Sequence, residues 1–197
     1  LTTMGGLIES AIANAVKALD GDEHSINKAY DSEKSIDNKE REIESLSLKL
    51  PLTQQPVASD LRLISAALKM ITDMERIGDQ AEDIAEIAAT AKKKMLKKSK
   101  HIQRMAAATI DMVNKSVEAF IKKDLLIAEE VSHNDDVVDA LFEEIVNDLV
   151  DIIKKDEGTS EVLDMLMVAK YFERIGDHAV NIAEWVQFSI TGEHKRL

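Results

Sequence analysis

Cysteine is absent from this chain of 197 residues. It therefore has no disulfide frame and no thiolate metal site, which is in keeping with a reducing compartment. Only 2 prolines and 7 glycines interrupt it, and aromatic residues make up 4%. So few turn formers and strand-favouring side chains argue against a β-sandwich or barrel. No apolar run approaches the roughly 20 residues of a membrane span, so no membrane insertion is expected. No secretory leader is visible. Cations are scarce as well. A net charge of −12 argues against nucleic acid as a partner, because phosphate contacts need clustered positive charge. The one basic cluster, Lys92-Lys93-Lys94 with Lys97, Lys98, Lys100 and Arg104, reads as a solvated junction between two halves, with docking of an acidic partner as the alternative. Leu1, not Met, opens the chain and enters a helix abruptly, so a natural start further upstream is expected.

What is present is helix-forming: Ala, Leu, Ile, Glu and Lys dominate, and 45% hydrophobic content can fill one sizeable core or two small ones. The pattern is also written twice. Glu75 to Glu86 reads ERIGDQAEDIAE, and Glu173 to Glu184, 98 residues later, reads ERIGDHAVNIAE. Upstream, the segment Asp31 to Asp37 resembles His133 to Asp139, at an offset of 102. The two offsets differ at a loop, which is Pro51 to Pro56 in the first half and lies around Asp156-Glu157-Gly158-Thr159 in the second.

Each half reads as three helices. The first helix starts at about Leu7 and ends near Asp20-Gly21, where glycine suits the left-handed C-terminal position. Asp22 caps a second helix running to about Leu50, and after the prolines a third runs from about Val57 to Ala91. The second half has helices at roughly 102–122, 124–154 and 159–190, with Asp124 in the capping place of Asp22. The fold expected is all-α: two tandem three-helix bundles related by internal duplication, over residues 1–94 and 95–197.

A helical residue advances by about 100°, which sets where the acids point. Glu75 and Asp79 fall within or at the edge of the apolar arc made by Ile64, Leu68, Ile71 and Gly78, and Glu173 and Asp177 intrude in the same way. On the middle helices Glu33 and Asp37 share the arc of Ile26 and Ala29, and Asp135 and Asp139 that of Ala128, Val131 and Val138. Each half therefore carries two acid-x-x-x-acid pairs on different helices, both facing inward. Four converging carboxylates need protonation, basic partners or a multivalent cation. Arg76 and Arg174 turn away from the acids beside them. Oxygen-only ligands suit hard cations, and bridging carboxylates suit multinuclear sites. A solvated seam paired with lysines is the plainer reading; the fourfold recurrence favours metal or a close cationic partner. Glu40 and Glu44 extend the first stripe, but their counterparts are Phe142 and Val146, so they read as local, or as extra ligands of one site. Asp83 and its counterpart Asn181 read as peripheral ligands or solvated positions, and His178 as a possible assistant.

These residues resemble the PhoU family of bacterial phosphate-uptake regulators. The resemblance rests on the tandem halves, the two ERIGD motifs and the Gln54 to Arg62 stretch QQPVASDLR. It implies a cytoplasmic regulator, not an enzyme, acting with the phosphate ABC transporter ATPase and a phosphate-sensing histidine kinase, with a homodimer as the expected assembly. It also implies multinuclear iron or zinc clusters on Glu33, Asp37, Glu75 and Asp79 in one half, and on Asp135, Asp139, Glu173 and Asp177 in the other. Two other classes remain open. One is a metal-independent helical adaptor for another transporter. The other is a ferritin-like di-metal oxidase, for which Glu130 to His133 is the single Glu-x-x-His spacing. No nucleophile–base constellation or phosphate-cradling glycine loop stands out.

Overall fold

The structure is a computed structural model and describes residues 1–53, 55–91, 100–154 and 159–194. These form six helices, in order α1 (Thr2–Leu19), α2 (Glu23–Thr53), α3 (Ala58–Thr90), α4 (Lys100–Lys122), α5 (Leu125–Lys154) and α6 (Thr159–Thr191), with no strand among the described residues. Helices α1, α2 and α3 pack together, as do α4, α5 and α6, giving the two three-helix bundles expected from the repeat. The expected boundary at residues 94 and 95, most of the lysine cluster and the loop at 155–158 lie outside the described residues.

Helix ends follow local chemistry. Gly21 takes φ 96°, the left-handed conformation that ends α1, and Asp22 caps α2 by accepting from the His24 backbone N–H at 3.1 Å. The second half repeats this turn without glycine: Lys123 is forced to φ 53°, and Asp124 accepts from Leu126 N–H at 2.9 Å. At α3 the Asp60 carboxylate reaches back to Val57 N–H at 3.1 Å. Two boundaries differ from expectation. Helix α1 starts five residues earlier than Leu7, because Met4 and Gly5 are buried on its inner face. Helix α2 runs through Pro51 to Thr53, since a proline in the final turn forfeits little of the hydrogen-bond ladder.

The core is continuous across the halves, from Met4, Ile8 and Ile12 in α1 to Phe172, Ile175 and Ile182 in α6. The bundles meet mainly along α3 and α6, and to a smaller extent through α1 and α4. The α3–α6 contact is antiparallel and polar at its centre. Asp73 of α3 accepts from His178 Nδ1 at 2.9 Å and from Asn181 Nδ2 at 3.2 Å, while Asp83 of α3 bonds the Tyr171 hydroxyl of α6. The repeat pairs Asp73 with Tyr171 and Asp83 with Asn181, so these contacts are two versions of one junction. Gln80 stands at the place of His178 and leaves its buried carbonyl oxygen without a partner.

Candidate functional site

The repeated ERIGD segment sits on α3 and α6 where each crosses its bundle's middle helix. At its glycine the neighbouring helix comes close. A Cβ on Gly78 would lie 2.9 Å from Ile36 Cδ1, and one on Gly176 would lie 3.2 Å from Asp135 Oδ1 and 3.6 Å from Val138 Cγ1. Ile36 is buried in the core, as are Met74 and Ile77 on α3 and Phe172 and Ile175 on α6. The glycines let the helices close until the acids of two helices face each other across a narrow seam.

In the first seam Glu33 and Asp37 of α2 approach Glu75 and Asp79 of α3. Partial loss of water, then repulsion from Asp79, Glu40 and Asp37, pushes the Glu75 carboxyl up from 4.5 to about 7. Glu33 is raised by burial and then by Glu82, Asp37 and Asp79; Asp79 is raised by burial and then by Asp37 and Asp83. Glu40 is raised in the same way, with Asp37 and Glu44 its nearest acids. Glu82, which the helical arc did not single out, belongs here too: burial and then Asp79 push it up. Its counterpart is Val180, so the repeat offered no signal for it, although its place one turn past Asp79 does.

The second seam brings Asp135 and Asp139 of α5 to Glu173 and Asp177 of α6. Asp135 lies against the Gly176 face, and burial, then Asp139, Asp177 and Glu173, push it up to about 6. Asp139 and Asp177 lie at the exposed rim, yet lose enough water there to be raised, with Glu173 the next cause for both. Charge repulsion thus couples Glu33, Asp37, Glu75 and Asp79 in one half and Asp135, Asp139, Glu173 and Asp177 in the other, but Asp139 and Asp177 are exposed and not turned inward.

Basic partners were underestimated from the sequence. Lys170 Nζ donates to Glu173 Oε1 at 2.6 Å and stands over the Phe142 ring, 5.6 Å from its centroid. Arg41 donates to Asp37 Oδ2 at 2.9 Å. Both cations come from neighbouring helical turns, at the i+3 and i+4 spacings that place side chains on one face. Other expectations move elsewhere. His178 and Asn181 bond Asp73 at the junction between bundles, not the second seam, and Asp83 bonds Tyr171. His133 Nδ1 bonds the Glu129 carbonyl at 2.9 Å and Glu130 faces Lys115 at 3.4 Å, so the Glu-x-x-His spacing forms no joint ligand pair. His101 contacts Glu144 at 2.8 Å on the surface.

As the side chains stand, no three acids or histidines among the described residues are arranged to hold a metal ion. Lys170 pairs with Glu173, and Arg41 with Asp37. The donor chemistry nevertheless fits a hard cation: each seam offers only carboxylate oxygens, on two helices, at positions where their negative charge is already costly.

Three comparisons bear on the chain. The PhoU domain family model matches residues 1–88 and again 102–186, one copy per bundle. The protein named phosphate-specific transport system accessory protein PhoU homolog of Clostridium acetobutylicum is 36% identical over the whole of this chain and 92% of its own length. The crystal structure of PhoU from Pseudomonas aeruginosa superposes with a TM-score of 0.86 at 30% identity, covering 98% of this chain and 94% of that one. The structure of the phosphate transport system regulatory protein PhoU from Streptococcus pneumoniae gives 0.92 over 99% and 93%, at 22% identity, which speaks to the fold. No described helix is long and apolar enough to cross a membrane.

Proposed function

The chain belongs to the PhoU family, and from that premise we propose that it is a cytoplasmic regulatory accessory protein of a phosphate ABC transporter, restraining the phosphate-starvation response through the transporter's ATPase and a phosphate-sensing histidine kinase. The observation that carries this reading is the match of both bundles, end to end, to relatives bearing that name. Nothing in the seams supplies a nucleophile beside a base, so the role proposed is binding and not catalysis. A homodimer is the assembly proposed.

The acidic seams are proposed to bind metal, iron or zinc, through Glu33, Asp37, Glu75 and Asp79 and through Asp135, Asp139, Glu173 and Asp177. A bound multivalent cation would neutralise the converging carboxylates and tie α2 to α3 and α5 to α6. The acids themselves face one another across the glycine crossings, so ordering the seam orders the helix pair. A second reading, a metal-independent adaptor, draws support from Lys170 and Arg41, which already neutralise part of each seam.

Deletion of the gene in its host, with a phosphatase reporter in rich phosphate, tests the regulatory role. Derepression is expected, and unchanged expression counts heavily against it. Co-purification with the transporter ATPase and elemental analysis of protein prepared without chelators separate the metal-bound from the metal-free adaptor.

A further inference from the structure

The repeat relates the two ends of the α3–α6 junction: Asp73, Arg76 and Asn181 at one end answer to Tyr171, Arg174 and Asp83 at the other. The first end opens into a cavity of about 360 Å³, walled by α3, by α6 and by His194, which follows α6. Three of its lining residues break the repeat. Lys69 stands where α6 has Met167, Asp73 where it has Tyr171, and Trp185 where α3 has Ile87. Duplication alone therefore does not account for the chemistry gathered here.

That chemistry is of three kinds. Lys69 and Arg76 lie two turns apart on one face of α3, both exposed, and neither forms an ion pair among the described residues. Asp73 is only 9% exposed, and it accepts from both His178 and Asn181 through the same oxygen, Oδ1. Its Oδ2 keeps no partner among the described residues and can accept from a hydroxyl or amino group. On α6, the Trp185 indole is braced edge-on by Phe188, with ring centroids 5.7 Å apart, and by His194, at 4.3 Å. It gives the cavity a flat apolar surface.

We propose that this cavity is a nucleotide-binding site, with the phosphates on Lys69 and Arg76, a ribose hydroxyl or base amino group on Asp73 Oδ2, and the base against Trp185. Cations alone would suit any anion, but the carboxylates of Asp73 and Glu184 also line the cavity and would repel a lone oxyanion. Unpaired cations, a carboxylate oxygen open to a donor and an indole together suit a ligand that is anionic at one end, hydroxyl-bearing in the middle and planar at the other. The volume lies within the range of small-ligand sites, about 300–1,000 Å³. A net charge of −12 opposes nucleic acid, but a single nucleotide brings few charges and meets two cations directly. One helix of each bundle walls the site, so its occupant would tie the bundles together across their junction. The proposal rests on neither the acidic seams nor the regulatory role.

The test is isothermal titration calorimetry of the full chain with ATP and, separately, with inorganic triphosphate, at low ionic strength and with chelator present to keep the seams metal-free. One saturable ATP site per chain is expected, with triphosphate weaker. Lys69→Met, which installs the counterpart residue at an exposed position, and Arg76→Gln should each weaken ATP about tenfold, the loss of one charge-assisted contact to phosphate. Arg174→Gln, at the other end of the junction, should leave binding unchanged. Trp185→Ile should bring ATP down to the affinity of triphosphate while triphosphate itself is unmoved. Urea midpoints of the variants show that each is folded. No heat with ATP at millimolar concentration overturns the proposal. So does equal affinity of the wild type for ATP and triphosphate, which removes the base contact. Unchanged binding in both Lys69→Met and Arg76→Gln, or an equal loss in Arg174→Gln, places the nucleotide elsewhere and overturns it as well.

Discussion

Gly78→Ala and Gly176→Ala look like the same mutation, yet the packing predicts opposite signs. Both residues lie mid-helix, where alanine is favoured over glycine by about 1 kcal/mol. At Gly176 the new methyl meets Asp135 Oδ1 at 3.2 Å, Val138 Cγ1 at 3.6 Å and Met112 Cε at 3.7 Å, contacts that a small carboxylate rotation accommodates. Net stabilisation of roughly 0.5–1 kcal/mol is expected there. At Gly78 it meets Ile36 Cδ1 at 2.9 Å and Cγ2 at 3.3 Å. Ile36 is fully buried and β-branched, so its χ1 is stiff and its end has nowhere to go. Overpacking costs about 1–3 kcal/mol, which exceeds the helical gain and leaves Gly78→Ala destabilised by about 1 kcal/mol. The assay is urea unfolding of chelator-treated protein, read as a shift of midpoint at constant m. Ile36→Val removes the offending Cδ1. Alone it costs about 0.5–1.5 kcal/mol, but combined with Gly78→Ala it relieves the clash, so the double-mutant cycle carries a favourable coupling of about 1 kcal/mol. If Gly78→Ala stabilises, or the cycle is additive, close approach is not why ERIGD contains glycine.

The acids make the metal-free protein pH-sensitive in a definite direction. Glu75 at about 7 and Asp135 at about 6 lie above their unfolded values, so the folded state binds protons more tightly. Their contribution is complete below about pH 4 and lost as pH rises through 6 to 7, so stability should increase by about 1–2 kcal/mol from pH 8 to pH 5, after discounting for solvent screening. Flat or inverse dependence of the urea midpoint counts against the seam electrostatics. Glu75→Gln should stabilise the metal-free protein at pH 8 and cancel part of that slope. Asp73→Ala strips the buried His178 and Asn181 donors of their acceptor and should cost about 2–3 kcal/mol by the same assay, with Asp73→Asn milder. Lys123→Gly relieves a left-handed lysine and should raise stability by about 0.5–1 kcal/mol; a loss would refute strain at that turn.

The helices, the duplication and the spacing of the acid pairs were legible in the sequence because each is a matter of period: about 3.6 residues per turn places Glu75 beside Asp79, and an offset of 98 places Glu173 at the same point, although Asp139 and Asp177 prove exposed. The caps at Asp22 and Asp124 and the reversal at Gly21 were legible for a similar reason, since capping is local chemistry. The partners were not. His178, adjacent to Asp177, reads as a site residue until the antiparallel crossing of α3 and α6 turns it to Asp73, 105 residues away. Glu82 and Lys170 have no repeat to announce them, and their roles exist only once two helices are docked at a given depth. That depth is decided at Gly78 and Gly176, where the absence of a side chain lets the backbones approach. Sequence periodicity determines which face of a helix carries charge; the tertiary structure alone decides which opposing face it meets, because that depends on contacts between residues that no local pattern relates.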